Sequence, residues 1–318
     1  MDKAISPPPT KKRRVEDSRA SEPLEADHGI ESLSIYSWNI NGISPFIQRP
    51  ITSFFGKKKP ANPEKQQETP SASLRGFLRR HDWPTCLLLQ EVKINPDDEA
   101  TIRAVERAVQ CPAQSKGKEP DYQAFFCLPN DLYNARGFGR KVYGVCSIVR
   151  QDFLQATNAK ARTVPWDKEG RFSIIETEAT KDIPKLSIIN IYAVNGTDNP
   201  YKDPITGQVS GTRHDRKLAV HKLLLEECQR LESEGFQVIV AGDMNVARNS
   251  LDGHPNLRTS PQHHVVNRAD FNAKFFNDGT GLRAVDSFRS LHGDKKGYTY
   301  YPRGRTFGSS CDRVCTAS

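Results

Sequence analysis

The chain has 318 residues, 36% hydrophobic and 26% charged, which is the composition of an ordinary globular protein, and no apolar run approaches the ~20 residues that a membrane-spanning helix needs. Seven cysteines without a CxxC pair argue against a disulfide framework or a zinc site and favour a reducing compartment. A formal net charge of +8 favours a polyanionic partner, although a lysine-rich surface serves solubility as well.

Residues 1–30 hold almost no bulky apolar side chains, so we predict a disordered tail ahead of the folded domain. Their charged, proline-rich character does not fit a secretory signal. Within the tail, three prolines precede four successive cations, Lys11, Lys12, Arg13 and Arg14. Such a cluster in an extended segment fits a nuclear import signal and predicts a nuclear protein; the alternative is a solvated run of charge.

Residues 31–318 have the composition of one folded domain, in which apolar runs of strand length alternate with helices. The predicted strands are Leu33–Trp38, Cys86–Gln90, Tyr143–Arg150, Phe172–Thr177, Leu186–Val194 and Gln237–Ala241. Polar or glycine- and proline-rich connections are predicted at residues 56–73, 112–120 and 197–211. This alternation indicates an α/β or mixed-sheet protein.

Three helices are predicted between these strands. Asn95, followed by a proline, serves as a capping residue and predicts a helix over Asp97–Val109. A second helix is predicted over Thr212–Glu234, because leucines mark one apolar face and Gly235 follows as a stop signal. A weaker pattern predicts a helix over Ala269–Phe276.

Four short stretches share one property: a predicted strand ends, and acidic or amide residues follow at once. They are S-W-N-I-N-G at 37–42, L-Q-E-V-K at 89–93, N-I-Y-A-V-N at 190–195 and A-G-D-M-N at 241–245. Strand ends are where α/β sheets gather ligand sites. Because Asn39 and Asn41 are two residues apart, as are Asp243 and Asn245, we expect both members of each pair to face one side of an extended segment.

This set of residues supplies hard oxygen ligands without a histidine or a cysteine. Mg²⁺ prefers such ligands, because it keeps several waters and uses one or two carboxylates together with a substrate phosphate. A single Asp or Asn after a strand is more often a cap or a turn residue. Four such stretches in one basic chain nevertheless favour a Mg²⁺ site, for which Mn²⁺ is the alternative ion.

Five motifs carry a resemblance to a known family. They are W-N-I-N-G at 38–42, L-Q-E-V-K at 89–93, I-Y-A-V-N at 191–195, G-D-M-N-V-A at 242–247 and D-S-F-R at 286–289. In this order they resemble the motifs of exonuclease III-type AP endonucleases, in the endonuclease/exonuclease/phosphatase superfamily. The resemblance runs from about residue 33 to residue 314. It implies a DNase I-like α/β fold, a four-layer sandwich of two packed mixed β-sheets flanked by helices.

The resemblance also implies roles for individual residues. Glu91 and Asn41 match the metal site of the family. Tyr192 matches the contact to the scissile phosphate, Asp243 the carboxylate that orients or deprotonates the attacking water, and Asn245 the amide that steadies the phosphate. The residues expected at the DNA are Asn39, Lys93, Arg171, Asn195, Asp286 and Tyr300, the last of which has an ordinary core position as its alternative.

The reaction implied by the resemblance is hydrolysis, with Mg²⁺, of the phosphodiester on the 5′ side of an abasic site in duplex DNA. Action on 3′-blocked ends as a 3′-phosphodiesterase, or as a 3′→5′ exonuclease, stays open. Recognition would come from flipping the abasic sugar into a pocket, which is cheap because no base has to be unstacked. A phosphatase of the same superfamily is a further alternative, disfavoured by L-Q-E-V-K and D-S-F-R.

The segment Q-R-P-I-T-S-F-F-G-K-K-K at 48–59 lies in an insertion, about residues 47–73, between the first two motifs. Gln48, Ile51, Phe54 and Phe55, followed by lysines, resemble the PCNA-interacting peptide of replication and repair proteins. One helical turn would put the three apolar residues on a single face to fill a pocket. The alternative is that Phe46, Ile51 and Phe54 pack on the protein's own core.

The C-terminal segment departs from the family pattern. The family has a strand reading arginine–hydrophobic–aspartate–tyrosine and then an S-D-H motif, whereas here Arg313 and Val314 precede Cys315 and the sequence stops at Ser318. Alignment on Asp312 restores an acid but loses the arginine before it. We therefore expect a truncated or mis-spliced product without the last strands of the second sheet. The alternative function is a catalytically impaired nuclear DNA- or PCNA-binding protein.

His263 and His264 are neighbouring histidines, a residue type that often binds metals. Histidines that share an ion on one helix stand about four positions apart, as in H-E-x-x-H. Because no third ligand stands at such a spacing, we predict that these are loop histidines and not a metal site.

Overall fold

The computed structural model describes residues 32–47, 73–253, 256–277, 279 and 281–299. The predicted import signal, the PCNA-type peptide, Tyr300 and the terminal segment lie outside these residues, as does nearly all of the insertion at 47–73. No helix in the described part of the chain is both long enough and apolar enough to cross a membrane.

The first four strands form one mixed sheet. They are β1 (Ile35–Asn39), β2 (Cys86–Gln90), β3 (Tyr122–Cys127) and β4 (Val145–Arg150), in the spatial order β1-β2-β4-β3. β1 runs parallel to β2, and β4 is antiparallel to both of its neighbours. Helices α1 (Leu74–Arg80) and α2 (Glu99–Val109) pack on one face of this sheet through a shared apolar core.

A second mixed sheet repeats this arrangement. Its strands are β5 (Lys160–Arg162), β6 (Phe172–Glu176), β7 (Leu186–Tyr192) and β10 (Gln237–Asp243), in the order β10-β7-β6-β5, while β8 (Pro200–Lys202) and β9 (Val209–Thr212) form a separate hairpin. β10 runs parallel to β7, and the other pairs are antiparallel. The remaining helices are α3 (Gln151–Ala156), α4 (Arg213–Ser233), α5 (His263–Phe275) and α6 (Ser287–His292).

The two sheets pack against each other, so the layers follow the order helices, sheet, sheet, helices. β10 contacts β1 and β2, and β7 contacts β2 and β4. Every residue of β2 and all but the last of β7 are buried, as expected for strands covered on both faces. On the outer side of the second sheet, α4 and α5 share an apolar core with β6, β7 and β10. The predicted α/β fold, with two packed mixed sheets flanked by helices, is confirmed.

All six predicted strands are present, and β2 has the predicted bounds. Helix α4 also follows its prediction, with Thr212 as the N-cap in a capping box with Asp215. The elements that the sequence did not predict are α1, β3, α3, β5, β8, β9 and α6. β8 and most of β9 lie in the predicted polar loop at 197–211, where few residues are apolar and no alternating pattern marks a strand.

Helix α2 begins later than predicted, at Glu99. The Asp98 carboxylate accepts a hydrogen bond from the Thr101 backbone N–H at 3.0 Å and so caps the helix. The Asn95 side chain instead accepts from the Asp97 N–H at 3.0 Å and closes a turn before the helix. The sequence thus has two capping side chains close together, Asn95 and Asp98, and the second of them caps the helix.

Helix α5 begins earlier than predicted, at His263 instead of Ala269. Its buried residues are Asn267, Phe271 and Phe275, four positions apart along one side of the helix. The first of them is polar, so the apolar pattern gives only the second half of the helix. Consequently, the histidine pair lies in the first turn of α5, and the prediction of loop histidines is wrong.

Polar side chains lie in the centre of the interface between the two sheets. Gln90 Nε2 donates to Asn190 Oδ1 at 2.9 Å and so joins β2 to β7. Asn190 Nδ2 donates to the Cys146 carbonyl and to Ser147 Oγ, each at 3.2 Å, and Ser147 Oγ lies 3.3 Å from Ser173 Oγ. The four hydrogen-bonding side chains are buried, so these bonds replace those that water makes in the unfolded chain.

Asn190→Leu should destabilise the fold by ~3 kcal/mol, because the buried Gln90 amide and the Ser147 hydroxyl each lose a partner. Urea unfolding followed by circular dichroism measures the change. Asn199→Leu, at an exposed position, is the control and should change the stability by less than ~0.5 kcal/mol. Equal effects of the two substitutions would contradict a stabilising role for this network.

Candidate active site

The carboxyl ends of two parallel strand pairs, β1 with β2 and β7 with β10, meet at one edge of the interface between the sheets. Asn39, Tyr192 and Asp243 are the last residues of β1, β7 and β10. Glu91 follows β2 directly. The structure therefore brings together four of the predicted site residues, at the strand ends where ligand sites of α/β sheets form.

One amide group joins the acids of the two sheets. Asn39 Nδ2 donates to Glu91 Oε1 and to Asp243 Oδ2, each at 2.9 Å. Both protons of the amide are used, so the two carboxylates are held on either side of a single nitrogen. Two like charges this close repel each other, and the shared donor offsets part of that repulsion.

Asn41 and Asn245 do not extend the strands as predicted. Their φ angles are 50° and 52°, in the left-handed region. The Asn41 N–H turns back to Asn39 Oδ1 at 3.1 Å, and the Asn245 N–H turns back to Asp243 Oδ1 at 3.0 Å. The expectation of extended pairs is therefore wrong, because asparagine tolerates this region and closes a turn on the side chain two positions before it.

Backbone strain is concentrated at this site. Glu91 and Lys93 both have a φ of 52°, which costs ~1 kcal/mol or more for a residue with a Cβ. A Cβ at Gly242 would lie 1.9 Å from the Ile191 carbonyl oxygen, so only glycine fits where β10 passes β7. Such conformations persist because the neighbouring strands hold them.

The oxygens of Glu91 and Asn41, the predicted metal ligands, converge on one cationic group. Lys93 Nζ lies 2.9 Å from Glu91 Oε2 and also contacts Asn41 Oδ1. Carboxylate and amide oxygens that together hold an ammonium group form a donor set suited to a hard divalent cation. These residues therefore fit a Mg²⁺ or Mn²⁺ ion.

The titratable groups of the site differ in their pKa shifts. Burial opposes ionisation of Glu91, but hydrogen bonds from neighbouring side chains, Asn39 first, outweigh it and hold the pKa of Glu91 below its usual value. Burial raises the pKa of Asp243, and the charge of Glu91 adds to that shift. Burial also raises the pKa of Tyr192, so its hydroxyl stays protonated and donates to Glu91. One carboxylate is thus firmly anionic, while the other has a raised proton affinity.

Arg171, predicted to lie at the DNA, is only 2% exposed. Its guanidinium lies over the rings of Tyr143 and Tyr192, 3.9 and 4.8 Å from their centroids, and donates to the Tyr192 carbonyl at 3.2 Å. Glu169, 3.3 Å away, balances its charge. The structure thus places Arg171 behind the site, where it positions Tyr192 instead of facing the surface.

The D-S-F-R motif fastens the chain beside the site. Asp286 caps α6 by accepting from the Arg289 N–H at 3.1 Å, and it pairs with Arg248 at 2.6 Å. The Arg289 guanidinium pairs with Asp252. Arg248 and Asp252 belong to the segment after Asn245, so these ion pairs fix the chain that leaves the site. The predicted contact of Asp286 with DNA stays a prediction.

Two further positions flank Asn245. Asn195 is exposed in the loop after β7, where its predicted contact with DNA stays a prediction. Lys217 of α4 is 4% exposed, and its Nζ donates to the Asn245 carbonyl at 2.6 Å. The sequence did not predict Lys217, Tyr143 and Glu169 as site residues. No motif contains them, and only the tertiary structure brings each of them next to the site.

Arg171→Leu should destabilise the protein by ~3 kcal/mol, because it removes one of the two partners of the buried Glu169 carboxylate, the other being Arg213 at 2.8 Å. Chemical denaturation measures the loss. Arg103→Leu removes an exposed pair with Glu99 and should cost less than ~1 kcal/mol. Similar losses for both variants would rule out the buried pair as a special constraint.

Comparison with protein families gives one match across the site. Residues 36–317 match the model of the Endonuclease/Exonuclease/phosphatase family. That range spans all five motifs that carry the resemblance. No curated protein sequence matches the chain.

Solved structures match over most of the chain. The Xenopus laevis APE2 catalytic domain is 20% identical with a TM-score of 0.56, over 90% of this chain and 82% of that one. The AP endonuclease LMAP from Leishmania major is 18% identical with a TM-score of 0.56, over 90% and 79%. The 3′ phosphatase NExo from Neisseria, bound to a product DNA hairpin, is 16% identical with a TM-score of 0.50, over 90% and 87%. These similarities show a shared DNase I-like fold.

Proposed function

The chain belongs to the endonuclease/exonuclease/phosphatase family, and we propose that it is a DNA repair nuclease. Its reaction is hydrolysis of the phosphodiester on the 5′ side of an abasic site, which leaves a 3′-hydroxyl. The observation that carries this proposal is the Asn39 amide, which holds Glu91 and Asp243 together. At this strand-end site the amide thus holds two acids that differ in proton affinity. Such a pair is suited to hydrolysis of a phosphodiester.

Asp243 is the proposed base. Its Oδ1 accepts from the Asn245 N–H and its Oδ2 accepts from Asn39 Nδ2, so the orientation of the carboxylate is fixed from both sides. Burial raises its pKa, which makes the carboxylate a better proton acceptor. A water held by Asp243 gives its proton to the carboxylate as the water oxygen attacks phosphorus. The bond from phosphorus to the 3′ oxygen breaks, and this oxygen takes up a proton from solvent and leaves as the 3′-hydroxyl.

Tyr192, Asn195 and Asn245 are the proposed contacts to phosphate oxygens. Arg171 holds the Tyr192 ring and the backbone carbonyl of the same residue, so the hydroxyl has a fixed direction. Asn245 Nδ2 donates to the Ala193 carbonyl at 2.8 Å, which orients the amide and leaves its second proton for a phosphate. The second Asn245 proton is therefore in place before the substrate binds, which favours electrostatic stabilisation of the transition state. The Tyr192 hydroxyl has one proton, which it donates to Glu91 in the free protein, so it has to turn this proton to the phosphate on binding.

Glu91 and Asn41 are the proposed ligands of Mg²⁺ or Mn²⁺, since their oxygens already converge on a cationic group. When bound, the ion neutralises charge on the phosphate and on the leaving oxygen. The lowered pKa of Glu91 keeps this ligand anionic at neutral pH. Lys93, beside it, adds positive charge for the DNA backbone.

Action on 3′-blocked ends is an extension of the same proposal. A 3′-phosphodiesterase or a 3′→5′ exonuclease would use the same acids on a phosphate at the strand terminus. A 3′ phosphatase bound to product DNA is among the proteins of similar fold. For abasic sites, recognition by flipping the sugar is favoured because the missing base costs no stacking.

Duplex DNA with a single abasic site provides the test. We expect nicking in Mg²⁺ and none in EDTA, measured on a denaturing gel. Glu91→Ala should lower the nicking rate by ~10³-fold, because members of a catalytic set act as a unit. Glu99→Ala, which truncates a glutamate with a 73% exposed side chain in α2, is the matched control and should retain the rate.

Binding of abasic DNA without nicking would contradict the nuclease and support the catalytically impaired DNA-binding protein. A second duplex with a 3′-phosphate separates the activities. Release of phosphate from this duplex without nicking of the first would favour the 3′-end reaction over the abasic-site reaction.

We also propose a nuclear location and a contact with PCNA, both on the sequence patterns alone. The contact residues are Gln48, Ile51, Phe54 and Phe55. Phe46, just before them, packs on Trp38 with ring centroids 5.0 Å apart, so core packing accounts for this one phenylalanine.

The double variant Phe54→Ala/Phe55→Ala should be retained at least ~10-fold less than the parent on immobilised PCNA, because aromatic anchors carry most of the binding energy of such peptides. Phe46→Ala is the matched control and should be retained like the parent. Equal retention of all three proteins would argue against the PCNA contact.

A further inference from the structure

Three side chains from separated segments meet where α4 and α5 begin. Asp198 lies in the loop after β7, His214 is the second residue of α4, and His263 is the first residue of α5. Asp198 Oδ1 is 3.8 Å from His214 Nε2 and 3.4 Å from His263 Nδ1, and one ligand atom of each residue lies within 4.8 Å of the others. A tetrahedral zinc ion keeps its ligand atoms about 3.3 Å apart, so the two distances from Asp198 are close to those around a shared ion. The set as a whole spans up to 4.8 Å, so its side chains have to draw together slightly to bind one ion.

The inner histidine directs an unsatisfied nitrogen into this cluster. The His214 side chain is 2% exposed, and its Nε2 has no hydrogen-bond partner among the described residues. A buried polar atom without a partner is uncommon and destabilising. A metal ion bound by Nε2 would satisfy this atom.

Asn267 is placed to select the required tautomer of this ring. Its side-chain nitrogen lies 2.7 Å from His214 Nδ1, while its Oδ1 has no hydrogen-bond partner in the described part of the chain. With the amide turned so that Oδ1 faces the ring, Nδ1–H donates to it and Nε2 presents its lone pair to Asp198 and His263. Metal-binding histidines are held in this way, with the second nitrogen donating to an oxygen.

The loop that carries Asp198 is packed tightly on this histidine. A Cβ at Gly196 would lie 2.5 Å from His214 Nδ1 and 2.7 Å from Asn267 Nδ2, so the close approach requires glycine. The His214 backbone N–H also donates to the Thr197 carbonyl at 3.2 Å. An ion at this point would therefore tie the loop after β7 to both helices.

We propose that Asp198, His214 and His263 bind a zinc-class divalent ion at a structural site separate from the oxygen ligands around Glu91. Imidazole nitrogens suit Zn²⁺, whereas the carboxylate and amide oxygens of the active site suit Mg²⁺. The ion would fix the loop that also carries Asn195 at the edge of the active site. Cysteine spacing gives no hint of such a site, because its ligands are two histidines and one carboxylate.

The competing interpretation is a plain ion pair between Asp198 and a protonated histidine. The N-termini of two helices lie at the cluster, and their partial positive charges disfavour a further cation there. Both a proton on a histidine and a metal ion are such cations, so both interpretations need the negative charge of Asp198. Burial, followed by the charge of His263, lowers the pKa of His214 and favours the neutral ring that a metal ligand needs.

Calorimetric titration of Zn²⁺ into the Glu91→Ala protein tests the proposal, because this background lacks the carboxylate of the active site. We expect one Zn²⁺ per chain. Asp198→Ala and His263→Ala, at side chains that are 69% and 57% exposed, keep the fold and should weaken Kd at least ~10-fold. His292→Ala, which removes an exposed histidine of α6, is the control and should leave Kd unchanged. Absence of Zn²⁺ binding, or equal Kd values in all variants, would overturn the proposal.

Two further readouts separate this site from the active site. Zn²⁺, but not Mg²⁺, should raise the Tm of the parent and of Glu91→Ala, and it should not raise that of His263→Ala. Co²⁺ in place of Zn²⁺ should give the visible bands of a tetrahedral ion, which Asp198→Ala removes. Loss of both signals on Glu91→Ala alone would locate the ion at the active site and overturn the proposal. None of these measurements uses nicking, so the nuclease proposal is judged separately.

Discussion

A single amide nitrogen between two carboxylates is the contact around which this protein is arranged. Asn39 belongs to the first sheet and Asp243 to the second, so their hydrogen bond exists only while the sheets are packed in one register. Directly behind it, Gln90 and Asn190 form a second amide contact across the same interface. Buried amides are stable only when they are bonded, so this interface fixes the relative position of the sheets more tightly than aliphatic packing alone would.

The strands that carry the site were predictable from the sequence, because Cys86–Gln90 and Leu186–Tyr192 are buried on both faces and are mostly apolar over a strand's length. An acid or amide that follows such a run stands out clearly. The backbone conformation just after each strand could not be predicted, because hydrophobic periodicity does not indicate which residue adopts a left-handed φ angle. Asn41 and Asn245 turn back on their own neighbours, and only the folded chain selects that turn.

Residues that act through other residues were the hardest to predict. The family resemblance predicts Arg171 at the DNA, and arginine is normally exposed, yet Arg171 is buried between two tyrosine rings and Glu169. The neighbouring histidines illustrate the same limit. A spacing of four along one helix indicates shared ligands, whereas Asp198, His214 and His263 come from three segments that the fold brings together. Contacts of this kind depend on tertiary structure and leave no local pattern.

The two sheets are built alike: each has a parallel strand pair, and in each an edge strand ends in a residue whose side chain closes the turn after it. Each sheet supplies one acid, and 204 positions separate Asn39 from its partner Asp243. Neither half of the chain therefore contains the acid pair by itself. During synthesis the pair forms only after the second sheet has emerged and docked, and a fragment with one sheet lacks it altogether. The acid pair of this protein is a product of long-range folding, absent from every intermediate in which the sheets are apart.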